Sequence, residues 1–565
     1  MTSENFHYVL DRSPLFQSLG LSVVTLSADS VCLAIAESCP THGGAFGDMT
    51  LPSINGAVLC AALEAAIGLG GHAALGHTPA GVIELSVKLL RQVRHLPCYI
   101  TTRLDRQAPG LTFVSAVLTN SRGTPCATAS GIVSPPGGRP NEASLSTSPG
   151  SALPILNLKT SRKPMNQALT ETMQAFLIRP ERYGEPQQAI QLEQVRIPTL
   201  GPHQVLIEVM AAGLNYNNVW AAQGKPVDII AARRKRNRDA EPFHIGGSEA
   251  SGYVKAVGDA VTHVKVGDTV VVSCSVYDAT AIESRVAPDP MFCSNQEIYG
   301  YETSYGSFAE YTLVEDYQCF PKPKFLSWEE SATLMLNGPT AYKQLTHWAP
   351  NTVKPGDAVL IWGAAGGLGS MSIQLTRALG GLPVAVVSSP ERGRYACELG
   401  AVGYLLRTDY PHLGRLPDLN SDAHSAWTKS FASFRRDFFM TLGKKELPKV
   451  VIEHSGQATF PTSLQICDRS GMVVIVGGTS GYNCDFDVRH LWMHQKRIQG
   501  SHYANIRECQ EFLQLVEQRR VVPTLNTLYR FEETPRAHQA LLSGEVVGNA
   551  AVLVKAELPG LGVGC

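Results

Sequence analysis

The stretch AVLIWGAAGGLGSMSIQ, Ala358 to Gln374, constrains the fold more than any other. An apolar strand runs into Gly363, Gly366 and Gly369, and a helix follows. Glycine lets the backbone turn tightly and come close to a pyrophosphate, and the helix N-terminus then offers free N–H groups and a positive dipole end to the anion. The spacing GxxGxxG is a variant of the usual fingerprint. Its weight comes from context: strand before, helix after, and a further strand about 20 residues on. Gly367, Leu368 and, upstream, Thr340 are assigned to the same cofactor site. The next strand, PVAVVSS, ends in Ser388 and Ser389, with Arg392 shortly after. NAD sites carry an acid there for the ribose 2′-hydroxyl, whereas NADP sites carry hydroxyls and a cation for the 2′-phosphate. The reading is therefore NADPH. Glu391 is the competing acid if the turn is shifted, and an ordinary loop is the plain alternative for Ser388 and Arg392.

From about residue 354, strands alternate with helical segments, the mark of a doubly wound parallel sheet. A polar and aromatic segment at about 410–445, with Trp427, Phe431, Phe434, Phe438 and Phe439, reads as an insertion with packing contacts of its own. The region before about residue 325 is rich in strands. Further upstream, SPPGGRPNEASLSTSPGSALP (Ser134 to Pro154) reads as a flexible linker. Ahead of it, several strands surround one long apolar helix, Ile54 to Leu75, which suggests a sheet wrapped around a helix.

Lys+Arg is 48 against 49 for Asp+Glu, so bulk charge recruits neither nucleic acid nor an anionic membrane. The basic run Arg233, Arg234, Lys235, Arg236, Arg238 is local: a solvated loop, or a cradle for ligand phosphates. No apolar run approaches the ~20 residues of a membrane helix, and the N-terminus lacks a secretory apolar core. Thirteen cysteines without a CxxC pair point to reduced thiols and a cytoplasmic location.

A catalytic zinc needs three clustered Cys, His or carboxylate ligands. Neither GLNYNNVW nor GGSEASG supplies Cys or His, and His490 and His494, at i, i+4, lack an evident third ligand. No metal is expected, so the chemistry falls to the cofactor.

GLNYNNVWAAQGKPV, PFHIGGSEASGYVKAVG, IYGYETSYGSFAEY, VKPGDAVLIWGAAGGLGSMSIQL, GGTSGYNCDF and LWMHQKRIQGSHYAN together resemble the crotonyl-CoA carboxylase/reductase family, zinc-independent medium-chain dehydrogenase/reductases, over about residues 175–557. The resemblance implies hydride addition to Cβ of an α,β-unsaturated thioester. The resulting enolate is either protonated or attacks CO2. It also implies an asparagine, Asn215 or Asn217, to donate to a CO2 oxygen, with His502 as the matching imidazole. Glu302 would orient His502 or an ordered water, and the rings of Tyr301 and Tyr305 would wall the pocket. Tyr301 stands where some carboxylating relatives carry Phe, and a hydroxyl beside CO2 can bring in a proton.

Glu64 is the one charged residue between Asp48 and His72, in mid-helix among apolar residues. A buried carboxylate there would have a raised pKa, suited to a general base. SPLFQSLGLSVV, INGAVLCAALEAA and ELSVKLLRQV resemble a hotdog-fold thioesterase of the phenylacetyl-CoA type over residues 10–133. By that resemblance, Asn55 and Gly56 polarise the thioester carbonyl and Glu64 activates water or attacks the carbonyl. A hotdog that only binds thioesters or assembles the chain is the alternative.

The expected architecture is an α/β multidomain chain. An N-terminal α+β hotdog domain (1–133) and a linker (134–165) precede a GroES-like substrate domain (166–335 and 505–565) and a doubly wound Rossmann NADP-binding domain (336–504). The expected activity is NADPH-dependent reduction, with or without carboxylation, of a coenzyme A or carrier-protein enoyl thioester by a homo-oligomer. A non-carboxylating enoyl reductase and a quinone reductase are the rivals.

Overall fold

The structure is a computed structural model. It describes residues 19–27, 30–35, 56–75, 81–89, 97–108, 111–121, 125–134, 171–557 and 559–560. The chain divides into two compact units, Met1–Lys159 and Thr160–Cys565. The Pro/Gly/Ser stretch read as a linker falls almost wholly outside the described residues.

In the first unit, β-branched strands form a six-stranded antiparallel sheet, in the order Leu21–Leu26, Val31–Ile35, Cys98–Ala108, Leu111–Thr119, Pro125–Ser134, Gly81–Leu89. The Ala- and Leu-rich helix Gly56–Ala74 packs on it. Leu63 and Ile67 of the helix join Leu33, Ile35, Ile100, Leu118 and Val133 of the strands in one core. The contact is close because Gly71 faces a strand: a Cβ there would lie 2.4 Å from Val133 Cβ. Glu64 is exposed, which corrects the expectation of a buried carboxylate. Apolar residues all round a helix conceal which face packs.

The second unit has two layers of strands. One holds a seven-stranded sheet built on the long strand Gln204–Leu214, with smaller sheets beside it. The other is a six-stranded sheet, parallel throughout, with strand order 3-2-1-4-5-6: Gly403–Leu406, Leu382–Val387, Ala358–Trp362, Val450–Glu453, Met472–Ile475, Arg497–Gly500. The order reverses beside Ala358–Trp362, and that crevice is where open α/β sheets bind ligands. The central strands are buried on both faces, which explains their unbroken apolar runs.

The aromatic segment forms the 21-residue helix Asp422–Leu442, capped by Ser421 and ended by Gly443 at φ 75°. Trp427, Phe431, Phe434 and Phe438 recur at helical spacing and bury against the sheet. Phe434 stacks on Trp362, with ring centroids 5.8 Å apart and planes 1° from parallel.

Candidate functional site

The glycine turn closes one end of a cavity of about 300 Å3 between the two strand layers of the second unit. Gly363 adopts φ 54°, and a Cβ on Gly369 would lie 2.5 Å from Ala364 Cα. The turn therefore admits only glycine at these points. Gly366, Gly367, Leu368 and Gly369 line the cavity, as does Thr340, whose hydroxyl donates to Leu336 O at 2.6 Å. A Cβ on Gly366 would find no protein atom nearer than 3.4 Å. The free space at that glycine is a cradle of the kind a pyrophosphate fills, above the N-terminus of helix Gly367–Ala378.

Asn215, Asn217, Tyr301 and His502 line the same cavity, although nearly 290 positions separate Asn215 from His502 along the chain. Asn215 is 5% exposed, and both poles of its amide are hydrogen-bonded. Its Nδ2 donates to Glu249 at 2.6 Å and its Oδ1 accepts from Asn337 at 2.9 Å. Asn217 donates to Ser248 Oγ at 2.7 Å, and its Oδ1 has no partner among the described residues. A hydroxyl both donates and accepts, so the Asn217 amide can present either of its poles.

The His502 ring remains accessible, and its Nδ1 lies 3.3 Å from Gln296 Nε2. The surrounding protein lowers its pKa below the ordinary histidine value, and the charge of Lys343 adds to the effect. Glu302 does not reach His502. Its Oε2 accepts the Ile298 N–H of its own loop at 2.8 Å, and burial raises its pKa. Tyr305 also faces away, donating to Glu241 at 2.6 Å. Of the Tyr/Glu loop, Ile298 and Tyr301 border the cavity.

Arg233, from the basic run, is buried and donates to Thr303 O at 2.7 Å and Phe243 O at 2.8 Å, holding this loop from behind. Arg234, Lys235, Arg236 and Arg238 are exposed.

The residues read as a 2′-phosphate seat are differently employed. Ser389 caps helix Pro390–Glu398, and Arg392 donates to the carbonyls of Gly544 and Val546. Ser388 is exposed, and Glu391 pairs with Arg394 at 3.1 Å. Arg407, which the sequence reading did not single out, borders a second cavity of about 250 Å3 with Trp362, Tyr410 and Thr459. Its one signal in the sequence is a cation directly after the third strand of the sheet.

His490 and His494 have ring centroids 5.9 Å apart. Among the described residues, one group has metal-ligand spacing: Asp289, His347 and Glu508, within 4.8 Å of one another. Lys343 already occupies it, 2.7 Å from Asp289. Asn55 lies outside the described residues, and Gly56 begins the helix of the first unit.

Two family models match the chain: the alcohol dehydrogenase GroES-like domain over residues 201–324 and the zinc-binding dehydrogenase over residues 367–518. The chain is 44% identical over 390 residues to a crotonyl-CoA carboxylase/reductase of Cereibacter sphaeroides, covering 69% of this chain and 89% of that one. It is 36% identical over 389 residues to a crotonyl-CoA reductase of Streptomyces collinus, covering 68% and 85%. Among solved structures, crotonyl-CoA carboxylase/reductase AntE in complex with NADP is 50% identical at TM-score 0.66, covering 69% of this chain and 96% of that one. The 2-octenoyl-CoA carboxylase reductase CinF in complex with NADP and 2-octenoyl-CoA is 34% identical at TM-score 0.66, covering 71% and 91%.

Proposed function

The chain belongs to the crotonyl-CoA carboxylase/reductase family, and on that premise we propose that it reductively carboxylates a 2-enoyl-CoA thioester with NADPH. The observation that carries this reading is the convergence of the glycine turn, Asn217 and His502 on one cavity. When bound, the nicotinamide supplies a hydride to the substrate. The glycine turn and Thr340 hold the dinucleotide. Asn217, with one amide pole uncommitted, contacts the CO2 oxygen, while Asn215 is held in the frame behind it. Gln296 donates to Nδ1 of a neutral His502, which leaves its Nε2–H to face the reacting oxygens. Ile298, Tyr301 and Trp220 limit water around the enolate. Glu302 closes its own loop and so fixes Tyr301. The test is incubation with NADPH, crotonyl-CoA and labelled bicarbonate, with label expected in an alkylmalonyl thioester. NADPH consumption without label would overturn carboxylation.

Tyr301 favours a second outcome at the same site. Burial raises its phenol pKa, so it stays a proton donor, and protonation of the enolate yields a saturated acyl thioester.

For the first unit we propose a hotdog domain that holds or hydrolyses the acyl thioester; one helix against a six-stranded antiparallel sheet supports it. A homo-oligomer is proposed from the exposed Trp492 and Met493, close in sequence to the edge strand Arg497–Gly500. All eleven cysteines among the described residues are free thiols, which supports a reducing, cytoplasmic setting. Among the described residues no helix is long and apolar enough to cross a membrane.

A further inference from the structure

A chain of buried amides takes its direction from whichever end cannot change role, because an amide nitrogen donates and its oxygen accepts. Glu249, in its ionised form, is such an end. It is 1% exposed, and only a glycine at 213 leaves room for it: a Cβ there would lie 2.4 Å from Glu249 Oε2. Its carboxylate accepts Leu336 N–H at 2.6 Å and Asn215 Nδ2 at 2.6 Å. Asn215 must therefore turn its oxygen to Asn337, whose Nδ2 donates to it at 2.9 Å. The same nitrogen donates its second hydrogen to Asn549 Oδ1 at 2.8 Å. From there the sense runs on through Asn549 Nδ2 to Thr524 Oγ1 at 2.8 Å. Thr524 and Ser370 hydroxyls meet at 2.9 Å, and Ser370 donates to Gly367 O at 2.9 Å, inside the glycine turn.

Both amide hydrogens of Asn337 are thus engaged. Its carbonyl oxygen has no partner among the described residues, and Asn337 lines the cavity. A Cβ on Gly367 would lie 2.8 Å from Asn337 Nδ2, so the amide sits beside the turn that seats a pyrophosphate. Phosphate oxygens only accept and would repel a carbonyl. The nearest donor in a dinucleotide is a ribose hydroxyl.

We propose that Asn337 Oδ1 accepts a hydroxyl of the ribose joined to the nicotinamide, and that Glu249, acting through Asn215, is the positioning residue that sets this sense. The inference rests on the dinucleotide reading above. Its test compares three ligands by equilibrium binding to the full chain: NADPH, 2′-phospho-ADP-ribose and 2′,5′-ADP, which lacks the second ribose. Asn337→Leu and Glu249→Gln should each weaken NADPH and 2′-phospho-ADP-ribose about tenfold, the effect of one hydrogen bond. Binding of 2′,5′-ADP should change less than about twofold and so report an intact nucleotide fold. Glu249→Gln keeps the side-chain volume and decides the matter if leucine disturbs the fold. Unchanged NADPH binding in that variant, or equal losses for all three ligands, would overturn the inference. A parent chain that binds none of the three would sink the dinucleotide reading itself.

Discussion

The imidazole of His502 takes its hydrogen bond from Gln296, with Nδ1 and Nε2 3.3 Å apart, and Glu302 takes no part in it. The two carboxamide and carboxylate side chains therefore have separable effects. Gln296→Leu frees the ring to change tautomer. It should lower labelled carboxylated product about tenfold while NADPH oxidation with crotonyl-CoA continues. Glu302→Gln keeps a side-chain acceptor for Ile298 N–H and should leave the carboxylated fraction within about twofold of the parent. Product partition by labelled bicarbonate checks both.

Glu249 gives a pH dependence with opposite signs for binding and stability. Burial raises its pKa to about 7, against an unfolded value near 4.5, and the Cys274 thiol is the other titratable group facing it. The protonated form is the one that folding favours. Its stabilising contribution is complete below about pH 4.5 and is lost as pH rises to about 7, about 3 kcal/mol at most. The ionised form is the one that orients Asn215. NADPH affinity should therefore rise from pH 6 to pH 8 as the melting temperature falls. Glu249→Gln should flatten both trends, as binding titrations and thermal melts would record.

Arg407 and Arg392 make contrasting predictions about the cofactor's 2′-phosphate. Arg407 is exposed at a cavity beside the strand that enters the glycine turn, whereas Arg392 is tied to two backbone carbonyls. Arg407→Glu should cut the preference for NADPH over NADH by about tenfold or more, the scale of one charge-assisted contact. Arg392→Gln should lower the melting temperature and leave that preference within about twofold. Dissociation constants for both nucleotides check this.

Phe434 is fully buried against Trp362 and inside the core on that face of the sheet. Phe434→Ala should cost about 3–5 kcal/mol of stability. Denaturant unfolding followed by tryptophan fluorescence is the measurement.

In the first unit, Glu64 is exposed, so Glu64→Ala should leave the melting temperature within a degree or two, about 0.5 kcal/mol or less. If the hotdog proposal holds as a hydrolase, the same change should bring acyl-CoA hydrolysis to background. A change of oligomeric state with hydrolysis unaltered would favour the assembly role.

Much of the large unit was legible in the sequence because its signals are local. The glycine turn and the apolar strand before it declare themselves within about 20 residues, and the aromatic residues at about 410–445 announce a packed segment, though not its helical form. The carboxylate of Glu249 did not, because its partners lie 34 and 87 positions away and nothing in GGSEASG carries a period. Ser389 and Arg392 matched the composition of a phosphate seat, but a helix cap and two stray carbonyls hold them instead. Glu64 was misread for a related reason. An alanine-rich helix shows its buried face only once a sheet is laid against it.

Trp362 ends the strand that opens into the glycine turn, and its ring stacks parallel to Phe434 of the helix Asp422–Leu442. That helix thus backs the strand that leads into the glycine turn. Shortening this enzyme by excising that helix would tilt the turn itself, so a minimal scaffold for engineering must keep residues 422–442 even though none of them lines the cavity bordered by the glycine turn.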